Sequence, residues 1–417
     1  MNRPISVQLS STIEIDDIKL AWVGLLKPWN AKKGEEIGAV ESWFTQQFNG
    51  GTAISFNSAR SALFAILTCL GISKGDEVIL QAFTCIVVPN AILWTGAKPV
   101  YVDVEKDSFQ MSVADLRLKI NAKTKAIIVQ HTFGYPDDIK KIRSIAKDKS
   151  IFLVEDCAHS LGNKYEHSFL GTFGDAAIFS FGRDKVVSSV FGGMAYTKNT
   201  QLAEKLTDYQ QRLSYPSYTW IIQQLLHPIF FSFILPLYSL QVGKILLRLF
   251  QELRMLSFPV SQAEYRCHQP SYYPLRYPNA LARLAIGQLK KLSAIQQKRQ
   301  EAAYLYWKKL NNLPIILPNK TEESLLRFSI LTDDPDNLVL TAKKKNILLG
   351  RWYSHVIDPK RSDLKKAGYI LGSCPHSEQS AKRVVNLPTS PVLTNQEIYN
   401  VIHLIKKHYE NNHKRNI

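Results

Sequence analysis

Acidic residues are scarce in this chain: 35 Asp and Glu stand against 52 Lys and Arg, a formal charge of +17. That excess suits an anionic partner, whether nucleic acid, an anionic membrane or a phosphorylated small molecule, and it suits a solvated basic surface equally well. Cysteine is sparse as well. Cys69, Cys85, Cys157, Cys267 and Cys374 contain no Cys-x-x-Cys pair. This excludes a disulfide scaffold and argues against structural zinc, whose ligands come in close pairs, so no metal site is expected. Met1–Asp17 is polar and mixed, without the pattern of a cleavable signal, and a reducing, cytoplasmic compartment is expected. Internal repeats, low-complexity linkers, a helix-turn-helix and an aromatic-basic strand pattern are also missing, and nucleic acid is therefore not expected as a partner.

What is present reads as a mostly parallel α/β unit. Between Gly51 and Thr197, short β-branched runs alternate with amphipathic stretches. Strands are expected at Glu77–Gln81, Pro99–Asp103, Ala126–Gln130, Ile151–Glu155, Ala176–Ser180 and Gly193–Thr197. Helices are expected at Ala59–Leu70, Val88–Trp94, Ser112–Ile120 and Asp138–Lys147. The runs AIIVQ and IFLVE are almost wholly apolar, as interior strands covered on both faces are. Beyond Tyr277 one long helical period runs from Asn279 to Leu310, and a mixed α and β region follows, closing on a helix over Gln396–Tyr409. The expected organisation is an N-terminal segment (1–50), a large α/β domain (51–215), an apolar insert (216–260), a crossover and connecting helix (261–310) and a smaller α+β domain (311–417).

The insert lacks charge altogether over 24 residues, Trp220–Gly243, and the basic run KILLRLFQELRML follows it. Its length alone would suit a transmembrane helix. Pro228, Pro236, His227, Gln223, Gln224 and Gln241 argue against one, and a single span would split one folded unit across a bilayer. A helical hairpin lying in the membrane interface through Trp220–Leu256, or packed on a partner subunit, is physically easier.

Three groups of residues carry chemistry. Asp156 follows the strand IFLVE in VEDCAHSLG, at the carboxyl end where open α/β sheets bind ligands, although a carboxylate there can also serve only as a turn cap. Lys185 follows the strand AAIFSF inside FGRDKVV, a turn bounded by Gly182 and by Gly192–Gly193; a lysine partly buried in such a turn loses proton affinity and becomes nucleophilic. In FNSARSALFAIL, small residues lead straight into a helix whose free amides and dipole suit a phosphate, with Ser180 and Arg60 able to add a hydroxyl and a charge; ordinary capping would look similar. A lysine amine, a carboxylate for a ring nitrogen and a phosphate cradle are what pyridoxal phosphate asks of a protein.

The order of these pieces, from Asn57 through VEDCAHSLG and GTFGDAAIFSFGRDKVVSSVFGGMAYT to CPHSEQSAKRVVNLPTSPVLTNQEI, resembles the DegT/DnrJ/EryC1/StrS family of aminotransferases over about 350 residues. The resemblance implies a fold type I, pyridoxal-phosphate-dependent enzyme. It implies Lys185 as the Schiff-base lysine, Asp156 as the pyridinium partner and His159 beside the ring hydroxyl. Ser58, Ala59, Arg60 and Ser180 fall at phosphate-contacting positions, and Cys85 where an aromatic commonly stacks on the ring. With Cys85 there, stacking passes to another residue, for which Phe83 is a candidate. Ala59-Arg60 replaces the usual Gly-Thr, Val190-Phe191-Gly192-Gly193 the usual Gly-Glu-Gly-Gly, and Pro274 an Asn usually donated across a dimer. The activity implied is transfer of an amino group from an amino acid, glutamate or glutamine, to a nucleotide- or lipid-linked keto-sugar by a homodimer. Retention of Lys185 disfavours the family's dehydratase branch. The alternative is a non-catalytic, regulatory basic relative of the same fold.

Overall fold

The computed structural model describes residues 3–9 and 12–415, the side chains of 411–415 excepted, so the extreme ends of the expected segments 1–50 and 311–417 lie outside the described residues. Its centre is a seven-stranded sheet: β1 (Thr52–Phe56), β2 (Glu77–Gln81), β3 (Lys98–Val102), β4 (Thr124–Gln130), β5 (Phe152–Asp156), β6 (Ala176–Ser180) and β7 (Gly193–Thr197). The spatial order is β1-β7-β6-β5-β4-β2-β3. Only β7 runs antiparallel to its neighbours. Because β1, β5 and β6 run one way and β7 the other, the ends of the first three and the start of β7 share one sheet edge: Phe56 pairs with Gly193, Gly193 with Ser180, and Ile178 with Asp156.

Strand boundaries agree with the sequence expectations to within two residues, with two corrections. Asp156 is the last residue of β5 rather than the first beyond it, and β1 was not anticipated because its alternation is blunted: four of its five residues are buried. Burial is nearly complete along β4, as its apolar run requires when helices cover both faces.

On the helical side, α1 (Ile15–Leu26) and α2 (Glu35–Gln47) precede the sheet, and α3 (Ala59–Cys69) follows β1 directly. The expected long helix over Asn279–Leu310 is two helices, Asn279–Leu289 and Leu292–Leu310. The apolar period runs through the break because neither Lys290 nor Lys291 disrupts a helix by itself. The break is tertiary: Lys291 pairs with Glu14 and Asp16 from the start of α1, and the second helix departs toward the C-terminal region. That region is built on a two-stranded antiparallel pair, Arg327–Leu331 with Val384–Pro388, and on the helix Asn395–Arg415. The sheet and the C-terminal region bury separate apolar clusters, and Phe83, Phe109 and Phe133 from the sheet side pack into the second of them.

The charge-free segment and the basic run after it form a hairpin of Tyr218–Leu237 and Val242–Glu252. By length and composition the first helix could cross a membrane, yet 44% of its most apolar stretch is buried. Its inner side packs on α1, where Leu225 lies against Gly24 so closely that an added methyl would touch it at 3.0 Å. Phe230 stacks on Phe250 at 4.2 Å to hold the two arms together.

Candidate active site

Along the shared sheet edge lies a cavity of about 270 Å³ whose floor includes Asp156, His159, Ser180 and Lys185. Ser58, Ala59 and Arg60 bound it at the start of α3, and Cys85 on another side. The residues singled out from sequence therefore meet in one place.

The helix start is fixed locally. Ser58 caps α3 by accepting the Ser61 amide at 3.2 Å, and the Ser61 hydroxyl donates to Asn57 Oδ1 at 2.8 Å. Asn57 in turn donates to Tyr272 O at 2.7 Å and accepts from the Leu275 amide at 3.1 Å, so the helix is tied to the crossover around Pro274. The amides of Ala59 and Arg60 precede the first intrahelical bond and are suited to an anion. Close approach to β7 is possible only because residue 193 is glycine: a Cβ there would lie 2.2 Å from the Ala59 nitrogen.

The Arg60 side chain takes another course from the one its position suggests. Its guanidinium pairs with the buried carboxylate of Glu264, donates to Pro259 O at 2.8 Å and lies 4.9 Å over the Tyr273 ring. Its charge is thus largely spent inside the protein, and the helix amides are the better phosphate donors.

Asp156 is buried, and burial pushes its carboxyl up from the ordinary carboxylate range while the Ala158 amide, bonded at 3.0 Å, the Lys185 charge and His131 oppose the shift. Only one oxygen is engaged by that amide, which leaves the other for a ring nitrogen. Lys185 is also buried, and its ammonium is pulled down to about 8, by desolvation first and by the neighbouring Arg327 second. His159 accepts the Phe133 amide on Nδ1 at 3.1 Å and sits parallel to the Phe133 ring at 5.8 Å. Burial and the charges of Lys185 and Arg327 hold it well below the usual histidine range, so the ring is neutral and its Nε2 carries the proton.

Phe83 is not the aromatic that borders the cavity. It is buried among Phe109, Phe133 and Tyr353, with a positive φ of 62° that turns the chain into the short strand carrying Cys85. Trp352 and Tyr353, from the C-terminal region, line the cavity instead, together with Arg327 and Asp358. Sequence reasoning missed all four, and the signal was thin: Arg327 opens an ordinary-looking strand, RFSIL. Elsewhere, His131, Glu155 and Cys157 form a buried group with the spacing of metal ligands, but Glu155 already accepts three backbone amides, of Gly171, Phe173 and Gly174, and acts as a brace beneath β5.

A model of the DegT/DnrJ/EryC1/StrS aminotransferase family matches residues 15–217 and 247–406. The chain belongs to this family. GDP-perosamine synthase of Escherichia coli O157:H7 is 28% identical over 394 residues, covering 91% of this chain and 92% of the relative. The UDP-N-acetyl-3-dehydro-alpha-D-glucosamine 3-aminotransferase of Acidithiobacillus ferrooxidans is 26% identical, with 84% and 82% covered. Among solved structures, DesV of S. venezuelae superposes with a TM-score of 0.76 at 24% identity over 98% of this chain and 99% of DesV, and the PLP form of Spr1654 of Streptococcus pneumoniae with 0.75 at 20% over 98% of each. These two establish fold type I architecture. Within the family, the residues at the sheet edge fit pyridoxal phosphate: an amine with lowered proton affinity, a carboxylate with an open oxygen, a neutral imidazole and unpaired helix amides surround one cavity. The family match breaks at residues 218–246, which hold the charge-free helix, the turn after it and the first residues of the second hairpin helix.

Proposed function

We propose that this chain is a pyridoxal-phosphate-dependent aminotransferase that moves an amino group from an amino-acid donor to a keto-sugar. The observation that carries the reading is the meeting of Lys185 and Asp156 at the carboxyl ends of β5 and β6, in a cavity closed by the start of α3. When bound, the cofactor supplies an aldehyde for the donor's amine and a ring that withdraws electrons from the substrate carbon. Lys185 would hold that aldehyde and would move the proton at the substrate carbon, for which an amine whose proton affinity is lowered to about 8 is well matched. Asp156 keeps the ring nitrogen protonated. His159 would offer Nε2–H to the ring hydroxyl, and the amides of Ala59 and Arg60, with Ser58 and Ser180, would receive the phosphate. Two relatives are named for GDP- and UDP-linked sugars, which supports a sugar acceptor. The purified protein should absorb in the visible, and L-glutamate should convert that band in a half-reaction that a keto-sugar reverses; a colourless protein would favour a non-catalytic relative.

The division into a cofactor-binding unit (51–215), a crossover (261–310) and a C-terminal unit (311–417), and work as a homodimer in the cytoplasm, are part of the same reading. Sedimentation at twice 47.4 kDa checks the dimer.

A second reading concerns Trp220–Leu256, which we propose docks on anionic membrane at the inner face. Val242, Ile245, Leu249 and Leu253 recur along one side of the second hairpin helix and are all exposed, as are Phe233 and Leu240 beside them. Lys244, Arg248 and Arg254 flank this apolar face, and each basic group beside an anionic leaflet contributes about 1 kcal/mol. A lipid-linked acceptor would be presented there. Arg183, which borders the cavity, donates to Ser257 O at 2.5 Å, so the hairpin's end is joined to the active-site turn.

A further inference from the structure

A short segment joins the hairpin to the cavity, and its chemistry changes along its length. On the second hairpin helix and at its C-cap, Val242, Ile245, Leu249 and Leu253 recur at helical spacing, all exposed. Leu256 then turns inward, into the small cluster with Phe231 and Ile234 that holds the hairpin together. Phe258 turns out again at 56% exposure, and the next two residues, Pro259 and Val260, line the cavity that Lys185 also lines. Val260 follows Leu253 by seven residues, a reach of at most about 25 Å.

This rim is fixed in place. Ser257 accepts from Arg183 on its carbonyl at 2.5 Å and donates its hydroxyl to Gln224 Oε1, on the first hairpin helix, at 2.6 Å. Arg60 donates to Pro259 O at 2.8 Å. Arg183 is the source of positive charge here. Its two partners, the carbonyl and hydroxyl of Ser257, are neutral, its Nε has no hydrogen-bond partner, and Asp184, next in the chain, is the acid that acts on it. Arg60, the other cation at the rim, is compensated by Glu264.

From the inside outward the order is therefore cavity, cation, exposed apolar face. We propose that the acceptor sugar is carried on a polyprenyl diphosphate, with the sugar in the cavity, the diphosphate at Arg183 and the isoprenoid chain passing over Phe258 toward the hairpin. The proposal rests on the aminotransferase reading and on the membrane reading of the hairpin. Two features favour a lipid carrier over a nucleotide. A base and a ribose are recognised by hydrogen bonds, and the exposed side chains leading away from this rim, Phe258, Leu253 and Leu249, offer none. The first hairpin helix and the start of the second also lie where the family match breaks, whereas Ser58, Asp156 and Lys185 lie inside it. The apolar platform is thus an addition to a unit already equipped to hold the cofactor.

The test is calorimetric titration of the holoenzyme with four probes: farnesyl diphosphate, inorganic pyrophosphate, GDP and UDP. Farnesyl diphosphate should bind at least roughly 10-fold more tightly than either nucleotide, as burial of a few isoprenoid carbons requires. Phe258→Ser should weaken farnesyl diphosphate roughly 10-fold and leave pyrophosphate unchanged. Arg183→Gln should weaken both by a similar factor, while Arg183→Lys, which keeps the charge, should fall between and guards against a glutamine variant that fails to fold. GDP or UDP binding as tightly as farnesyl diphosphate overturns the proposal, and so does unchanged farnesyl diphosphate binding in Phe258→Ser or in Arg183→Gln. Flotation on anionic vesicles together with a preference for a nucleotide would keep the hairpin on the membrane and contradict the lipid carrier alone. If the purified protein is colourless or reacts with no amino acid, the aminotransferase reading is the one that fails; the same four titrations on that protein still decide the carrier.

Discussion

The two walls of the cavity are built by different means. On the sheet side, position comes from backbone: Asp156 ends β5, Ser180 ends β6, and the start of α3 is pinned against Gly193 by a contact that no side chain would permit. On the C-terminal side, position comes from side chains packing on one another, with Arg327 on Trp352 and Tyr353 among Phe83, Phe133 and His159. A wall made of strand ends is rigid and suits a cofactor that must be held the same way in every turnover. A wall made of packed side chains belongs to a separate apolar cluster and can vary with substrate. In this account the sheet wall performs the chemistry and the C-terminal wall selects what reaches it.

The sharpest way to break that division is Lys185→Ala, which should abolish turnover while leaving the fold intact; surviving activity would move the chemistry elsewhere. Asp156→Ala should slow the half-reaction with L-glutamate by about 10³-fold, on the order of 4 kcal/mol, with no comparable change in half-saturation. Full activity in that variant would reduce Asp156 to a turn cap. Next is a stability effect where the crossover packs against the start of α3. Glu264→Ala strands the buried Arg60 charge and should lower unfolding stability by about 3 kcal/mol, read from the denaturant midpoint; no change would mean that the pair is dispensable.

Acidity gives a smaller and graded effect. Lys185 must be a free amine to take the cofactor, and its proton leaves at about 8, so the rate of cofactor uptake by apoprotein should rise about tenfold per unit as pH increases toward 8 and level off above it. His159 is held neutral over that whole range and adds no second inflection. A profile that levels off only near pH 10 would show an unperturbed lysine. The smallest effect on soluble activity belongs to the hairpin: replacing Ile245, Leu249 and Leu253 by Ser should preserve the half-reaction and abolish flotation with anionic vesicles at low salt. An intact protein that does not float assigns the face to a protein contact instead.

How much of this could be read in the sequence follows the same division. Strand periodicity, with Asp156 and Lys185 placed just where strands end, was legible because backbone geometry is written in local pattern. The break at Lys290–Lys291 was not, since it is imposed by Glu14 and Asp16 some 275 residues away in sequence. Pairing of Arg60 with Glu264, 204 positions distant, likewise has no local trace, and so the phosphate role suggested by its position overstates its freedom. Arg327, Trp352 and Tyr353 stayed hidden because nothing in RFSIL or GRWYSH distinguishes residues that cross to another unit's cavity from those of an ordinary strand and loop.

The central claim is that the sheet wall holds the cofactor through Lys185. Borohydride reduction of the coloured protein followed by peptide mapping tests it most directly. A single reduced-cofactor adduct is expected, on Lys185 within the segment GRDKVVSSV. Recovery of the adduct on any other lysine, with Lys185 unmodified, would contradict it.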